Sequence, residues 1–171
     1  GKKRLMTVGH YTHTIPPLYD EHSRVLILGS FPSPKSRETG FYYAHPQNRF
    51  WRVLSDVLGE PFPESADERR EMCLRRGIAL WDVVKECDIS GASDSSVRNA
   101  VPNDFDVIFS ACDVREVFVT GRLAEKLYER FTGRRAVRLP SPSPANCALG
   151  YDKLREAYSV VAACLSGRGE K

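Results

Sequence analysis

The spacing of apolar residues changes several times along the chain, and each change marks an element. "RVLILG" (Arg24–Gly29) is an unbroken apolar run closed by glycine, the pattern of a strand buried on both faces. From Asn48 the rhythm turns helical: Phe50, Val53, Leu54, Val57 and Leu58 fall on one side, and Gly59 followed by Pro61 stops the helix. "SADE" (Ser65–Glu68) has the form of a capping box and opens a charged helix to Arg76, ended by Gly77. "IALWDVV" (Ile78–Val84) predicts a second strand, Asn103 to Ala111 a short helix behind Pro102, and "EVFVTG" (Glu116–Gly121) a third strand. "RLAEKLYERF" (Arg122–Phe131) is amphipathic through Leu123, Leu127 and Phe131, and Gly133 closes it. "RAVRLP" (Arg135–Pro140) predicts a fourth strand. A last helix, Asp152 to Leu165, sets Leu154, Ala157, Val161 and Leu165 on one face.

Strands alternating with helices predict an α/β fold, a three-layer α/β/α sandwich around a short, mainly parallel sheet. The chain shows no internal repeat and no linker, so a single domain over residues 1–171 is expected, with 1–20 a partly extended N-terminal segment. Ligands of such sheets bind beyond the carboxyl ends of the strands. Three segments are therefore predicted to share one edge: Gly29–Asn48, Trp81–Ser96 and Pro140–Cys147.

Composition narrows the function classes. With 42% apolar and 27% charged residues the chain is an ordinary globular protein. No run is long enough to span a membrane, and "GKKRLMTVGH" lacks an apolar signal core. The start without Met reads as a scar or a processed end. Five scattered cysteines without CxxC spacing predict reduced thiols in a cytosolic or nuclear setting, and the expected location is cytoplasmic, nucleoid-associated in a bacterium. The formal charge of +3 permits nucleic-acid binding without demanding it. Neither a GxGxxG nor a P-loop follows a strand, and the four histidines give no metal-ligand set, so no cofactor and no metal are expected. His10 and His13 are expected to be solvated.

The stretch "GSFPSPKSRETGFYYAHPQNRFW" (Gly29–Trp51) carries the candidate chemistry. Ser30, Ser33 and Ser36 lie among Pro32 and Pro34; near the C-terminus "LPSPSPAN" sets Ser141 and Ser143 between three prolines. Proline restricts φ and extends its predecessor, so these loops are stiff. Stiff loops bearing hydroxyls and backbone N–H groups suit phosphate oxygens, although proline turns capping strands have the same look. Lys35, Arg37 and Arg49 could assist such contacts. Phe41 is expected inward and Tyr43 toward a pocket, where a ring can stack a base. Asn48 either caps a helix or reads a base edge, having both donors and an acceptor. Asp82, at the end of the second strand, is a functional carboxylate or the cap of the next turn.

These residues carry a resemblance. Gly29–Trp51 and Leu139–Asn146 resemble motifs of the uracil-DNA glycosylase superfamily. "TGFYYAHPQNRFW" is similar to the mismatch-specific (double-strand uracil) branch, and the combination "GSFPS…NRFW…LPSPSPAN" resembles the hypoxanthine-DNA (DNA-deoxyinosine) glycosylases most closely. The chain also departs from the pattern. Phe31 stands where the mismatch-specific branch has the asparagine that positions the attacking water, Leu139 where relatives have Asn or His, and Ser143 where a leucine plugs the DNA stack. The resemblance to the hypoxanthine branch implies that Asn48 takes the essential catalytic role. It further implies that Phe31 and Tyr43 hold the extruded base, that the five serines hold DNA phosphates, and that Asp82 supports from behind. The function so implied is a monofunctional DNA repair N-glycosylase that flips out a deaminated base, hypoxanthine first, and hydrolyses its glycosidic bond. Its partner would be DNA carrying such a base; the protein would act as a monomer, away from membranes. Two alternatives stay open: uracil or xanthine as the excised base, and a catalytically inactive DNA- or base-binding module, as Phe31 and Leu139 suggest. An α/β phosphoesterase or nucleotide-binding enzyme is weaker, since no acid pair for a metal falls on the predicted edge and neither a GxGxxG nor a P-loop follows a strand.

Overall fold

The computed structural model describes residues 8–167. In chain order these form β1 (Gly9–Thr12), β2 (Val25–Gly29), α1 (Pro34–Thr39), α2 (Phe50–Leu58), α3 (Ala66–Arg75), β3 (Ile78–Asp82), β4 (Val84–Ile89), β5 (Arg98–Pro102), α4 (Asp106–Phe109), β6 (Glu116–Thr120), α5 (Arg122–Thr132), β7 (Val137–Leu139) and α6 (Tyr151–Leu165). Single 3-10 turns lie at Asp94–Ser96 and Pro144–Asn146.

The apolar runs became the central sheet. β2, β3, β6 and β7 are parallel and stand in the order β3–β2–β6–β7. All five residues of β2 and all five of β3 are buried, as continuous apolar strands must be when helices cover both faces. Register sets Gly29 beside Asp82 and Leu28 beside Val119, and Thr120 beside Leu139. The strand order reverses between β2 and β6, which opens the crevice where α/β sheets take ligands. Helices flank the sheet: α3 packs on β3, α5 on β6 and β7, α6 on β2, and α2 lies against α6. This is the expected α/β architecture around a parallel sheet. Among the described residues no helix is long and apolar enough to cross a membrane.

Several elements differ from the sequence reading. Val83 interrupts the expected strand Ile78–Val84, because its N–H turns to the Gly29 carbonyl while that of Val84 bonds Ser30. The chain then enters β4, the middle of a second, antiparallel sheet in the order β1–β4–β5. Its strands (GHYT, VKECDI, RNAVP) are short and rich in polar residues, so no apolar period announced them. The stretch read as one stiff loop contains α1. Ser33 caps it by accepting the Ser36 N–H at 3.1 Å, Pro34 opens it, and Gly40 closes it at φ 78. The helix expected over 103–111 shrinks to Asp106–Phe109. Asn103 lies outside it, its side chain donating to the Asp82 carbonyl at 2.9 Å.

Aromatic packing fixes the segment that precedes α2. Phe50 and Trp51 are buried with ring centres 5.0 Å apart, Phe41 stacks on Trp51 at 5.9 Å, and the Trp51 indole donates to the Tyr42 carbonyl at 2.9 Å. Burying one such Phe is worth about 1.5–3 kcal/mol, so the loop ahead of α2 is anchored to the core rather than draped over it.

Candidate active site

The four parallel strands end at one cleft of about 1130 Å³. Gly29 of β2, Asp82 of β3, Thr120 of β6 and Leu139 of β7 line it, each from the carboxyl end of its strand. The loops add Ser30, Phe31, Ser33, Ser36, Tyr43, Asn48, Ser141 and Ser143, so these residues and Asp82 border the same space.

Tyr43 is a rigid ledge. Its ring stacks on Phe50 with centres 3.8 Å apart and planes at 16°, and its hydroxyl lies 3.4 Å from Thr120 Oγ1. The backbone holds φ 53, unusual for a residue with a side chain and worth about 1–3 kcal/mol of strain, which the stacking and the core behind it sustain. Burial first, then the Asp82 charge, pushes the phenol far above its usual range, so it is a neutral hydroxyl at any working pH. Phe41 points inward and is buried, whereas Phe31, also largely buried, forms another apolar wall of the cleft.

Asn48 serves the helix and the cleft with different atoms. Its side-chain oxygen accepts the Phe50 N–H at 2.8 Å in an Asx turn one residue ahead of the N-cap of α2. A donor at that distance requires oxygen rather than nitrogen there, which fixes the amide orientation. The NH₂ group has no hydrogen-bond partner among the described residues, and the residue lines the cleft. Asn48 is thus a cap through Oδ1 and keeps an unbonded NH₂ donor at a position that borders the cleft.

The floor is a buried His–Asp pair. His13 Nε2 donates to Asp82 Oδ2 at 2.7 Å, with the two side chains 1% and 6% exposed. This corrects the expectation that His13 is solvated. The segment after β1 runs beside β4, where the His13 N–H bonds the Lys85 carbonyl, and that pairing carries the ring under the cleft. His10 does lie at the surface, bonded to Asp88 at 2.8 Å. The other Asp82 oxygen closes on Gly29 so tightly that a Cβ at residue 29 would lie 2.5 Å from it, 3.2 Å from the Tyr43 hydroxyl and 3.6 Å from Thr120 Oγ1. Only glycine fits there.

The serines are partly engaged. The Ser30 hydroxyl donates to Asp94 at 3.1 Å. Ser33, Ser36, Ser141 and Ser143 accept backbone N–H groups from Ser36, Ala44, Ser143 and Ala145, so each keeps its hydroxyl proton for another partner. The cations differ from expectation. Arg49 is a clamp: its guanidinium donates to the carbonyls of Leu149 at 2.7 Å and Asn146 at 3.1 Å, and its N–H to that of Pro142 at 3.0 Å. Arg37 bonds the Pro32 carbonyl and covers Tyr11 at 4.3 Å, and Lys35 pairs with Glu38 at 3.7 Å. Arg122, at the start of α5, and Arg138 line the cleft instead, the latter 3.6 Å from Glu125.

Sequence reasoning missed His13, His45, Asp94, Thr120, Arg122 and Arg138 as cleft or floor residues. Thr120 was within reach, since it ends the strand "EVFVT" as Asp82 ends "IALWD". His13 had no signal, because its place depends on a pairing between two polar strands. Among the described residues no group of three His, Cys, Asp or Glu could hold a metal ion. All five cysteines are free, and burial pushes the Cys87 thiol up to about 11, which leaves no activated nucleophile there.

Comparisons with known proteins agree with this geometry. The family model "Uracil DNA glycosylase superfamily" matches residues 16–162. The chain is similar to a hypoxanthine DNA glycosylase of Methanosarcina acetivorans, 36% identical over 136 residues that cover 77% of this chain and 85% of that protein. It is also similar to a hypoxanthine DNA glycosylase of Methanosarcina barkeri, 37% identical over 94 residues, covering 54% of this chain and 60% of that protein. A solution NMR structure of a candidate uracil DNA glycosylase from M. acetivorans superposes with a TM-score of 0.78 at 29% identity, over 91% of this chain and 98% of that one.

Proposed function

The chain belongs to the uracil DNA glycosylase superfamily, and from that premise we propose that it excises hypoxanthine from deoxyinosine in DNA. As a member it is a DNA N-glycosylase, a hydrolase of N-glycosyl bonds acting on DNA. The choice of base rests on one observation: Asn48, which lines the cleft, has an NH₂ group without a partner among the described residues, while its oxygen already accepts the Phe50 N–H. An N–H group facing the six-position of a purine donates to the O6 of hypoxanthine and clashes with the amino group of adenine, so the normal base is refused where its deaminated product is held. Similarity to two proteins named hypoxanthine DNA glycosylase supports the same choice.

The rest of the cleft fits that task. Tyr43, backed by Phe50, offers its free face to a flipped base, and Phe31 closes the space as an apolar wall. Flipping costs a few kcal/mol, and stacking returns about 1–3 kcal/mol of it. The departing purine gathers negative charge as the sugar becomes cationic, and an N–H donor such as that of Asn48 would stabilise that charge. The free hydroxyl protons of Ser33, Ser141 and Ser143, with Arg122, suit the DNA backbone on either side of the lesion, whereas Ser36 is buried and bonded to the Ala44 N–H. The test uses duplexes holding one inosine, uracil, xanthine or adenine, followed by alkali to cut abasic sites. Cleavage is expected first at inosine and not at adenine. Cleavage confined to uracil or xanthine would move the specificity, and tight binding without cleavage on any duplex would make the protein a binding module.

A further inference from the structure

We infer that Asp82, locked by the buried His13 ring, is the base that takes a proton from the attacking water; the assignment rests on the glycosylase reading of the same cleft. Hydrolysis joins the water oxygen to C1′ while the C1′–N9 bond breaks and its electron pair leaves with the purine. One proton of the water passes to Asp82 and on to solvent, and the departing purine takes up a proton from solvent. The asparagine cannot take that proton, because a neutral side-chain amide is not a base at working pH. Two carboxylates line the cleft, Asp82 and Asp94. Asp94 lies on the exposed 3-10 turn and already accepts the Ser30 proton.

Asp82 has the opposite environment. The residue is 4% exposed, Oδ2 accepts from His13 at 2.7 Å, and Oδ1 has no hydrogen bond among the described residues although it is not sealed from solvent. Beside Oδ1, at the Gly29 Cα, stand the Tyr43 and Thr120 hydroxyls. A water bridged by these groups has the two to four polar partners that an ordered water needs. Facing a carboxylate, which accepts, His13 contributes its Nε2–H, and an edge contact of the ring with Phe31 at 6.2 Å and a tilted one with Tyr42 at 6.3 Å hold its plane. His13 is thus a positioning residue. The same negative charge faces the sugar cation as it forms.

The titratable groups around Asp82 are His13 from the N-terminal segment, Tyr42 and Tyr43 from the loop before α2, and Asp94 from the turn after β4. Burial and then the Asp82 charge hold both phenols protonated throughout. The experiment compares wild type, Asp82→Asn, His13→Ala and His13→Gln by single-turnover release of base from an inosine duplex across pH, with duplex affinity and melting measured alongside. Asp82→Asn should cut the rate constant by about 100-fold or more, as loss of a general base does, with duplex affinity kept and the acid limb of the rate profile gone. His13→Gln, which retains an N–H for Oδ2, should keep more rate than His13→Ala at equal affinity. A folded Asp82→Asn with wild-type rate, or rate losses in all three variants that follow affinity or melting, would overturn the assignment. Wild-type protein that releases no base from any duplex overturns the glycosylase reading and this assignment with it.

Discussion

Replacing Asn48 by Asp separates its two jobs, because the carboxylate keeps the oxygen that accepts the Phe50 N–H at 2.8 Å and loses the NH₂ group that lines the cleft. The cap alone is worth about 1 kcal/mol, which Asn48→Ala forfeits. In a domain of this size that is a fall in Tm of about 2–4 °C per kcal/mol. Asn48→Asp retains the cap and sets a negative charge near the helix N-terminus, a gain of about 0.3–1 kcal/mol. Its melting point should therefore equal or exceed that of the wild type. Activity should run in the other direction. Removing one donor to a developing anion costs about 10²–10³-fold in rate, so Asn48→Ala falls by that factor, and Asn48→Asp falls further because its charge repels the leaving purine. The ranking for stability is Asp at or above Asn, with Ala lowest; for turnover it is Asn, then Ala, then Asp. Thermal melting and single-turnover cleavage of an inosine duplex read the two orders from the same preparations. An Asn48→Asp variant that cleaves at the wild-type rate would remove the donor role, and one that melts at the temperature of Asn48→Ala would remove the cap.

Three further outcomes follow from contacts already described. Gly29→Ala puts a Cβ 2.5 Å from Asp82 Oδ1, so the carboxylate must move off the cleft floor; loss of turnover is expected in protein that still binds inosine duplex, and wild-type turnover would contradict it. Arg49→Met removes two charged hydrogen bonds to the carbonyls of Leu149 and Asn146; a destabilisation of at least about 1.5 kcal/mol by denaturant titration, with faster proteolysis within 140–150, is expected, and unchanged stability would mean that the loop stands by itself. Glu60 is held below the usual carboxylate range, first by its hydrogen bond from Arg76. That lowered value means stability present above the unfolded pKa of about 4.3 and lost as pH falls through the folded one. Glu60→Gln should flatten the dependence of Tm on pH below that point while leaving the slope near neutrality alone.

The central sheet was legible because burial on both faces writes itself as unbroken apolar runs: "VLIL", "IALW" and "VFV" are the strands β2, β3 and β6. With the strands came their carboxyl ends, and so Asp82, Asn48, Tyr43 and the proline-serine loops at one edge. The second sheet was not legible, since Tyr11, Lys85, Glu86 and Asp88 alternate without a sustained apolar face, and strand pairing there comes from backbone geometry and register. His13 disappeared with it. A histidine among polar residues near a terminus reads as solvated, and only the β1–β4 pairing carries it to Asp82. The Arg49 clamp was hidden for a related reason: its partners are carbonyls about a hundred positions away, and no side-chain pattern marks a carbonyl.

The most direct measurement of the central claim is the product itself. Wild-type protein is incubated with a duplex bearing one deoxyinosine, and the released base is identified and counted by chromatography with mass detection. One free hypoxanthine per abasic site is expected, with the DNA backbone intact until alkali is added, and no free adenine from the matched control. A duplex bound but left with its hypoxanthine in place would contradict the account, as would release of adenine at a comparable rate.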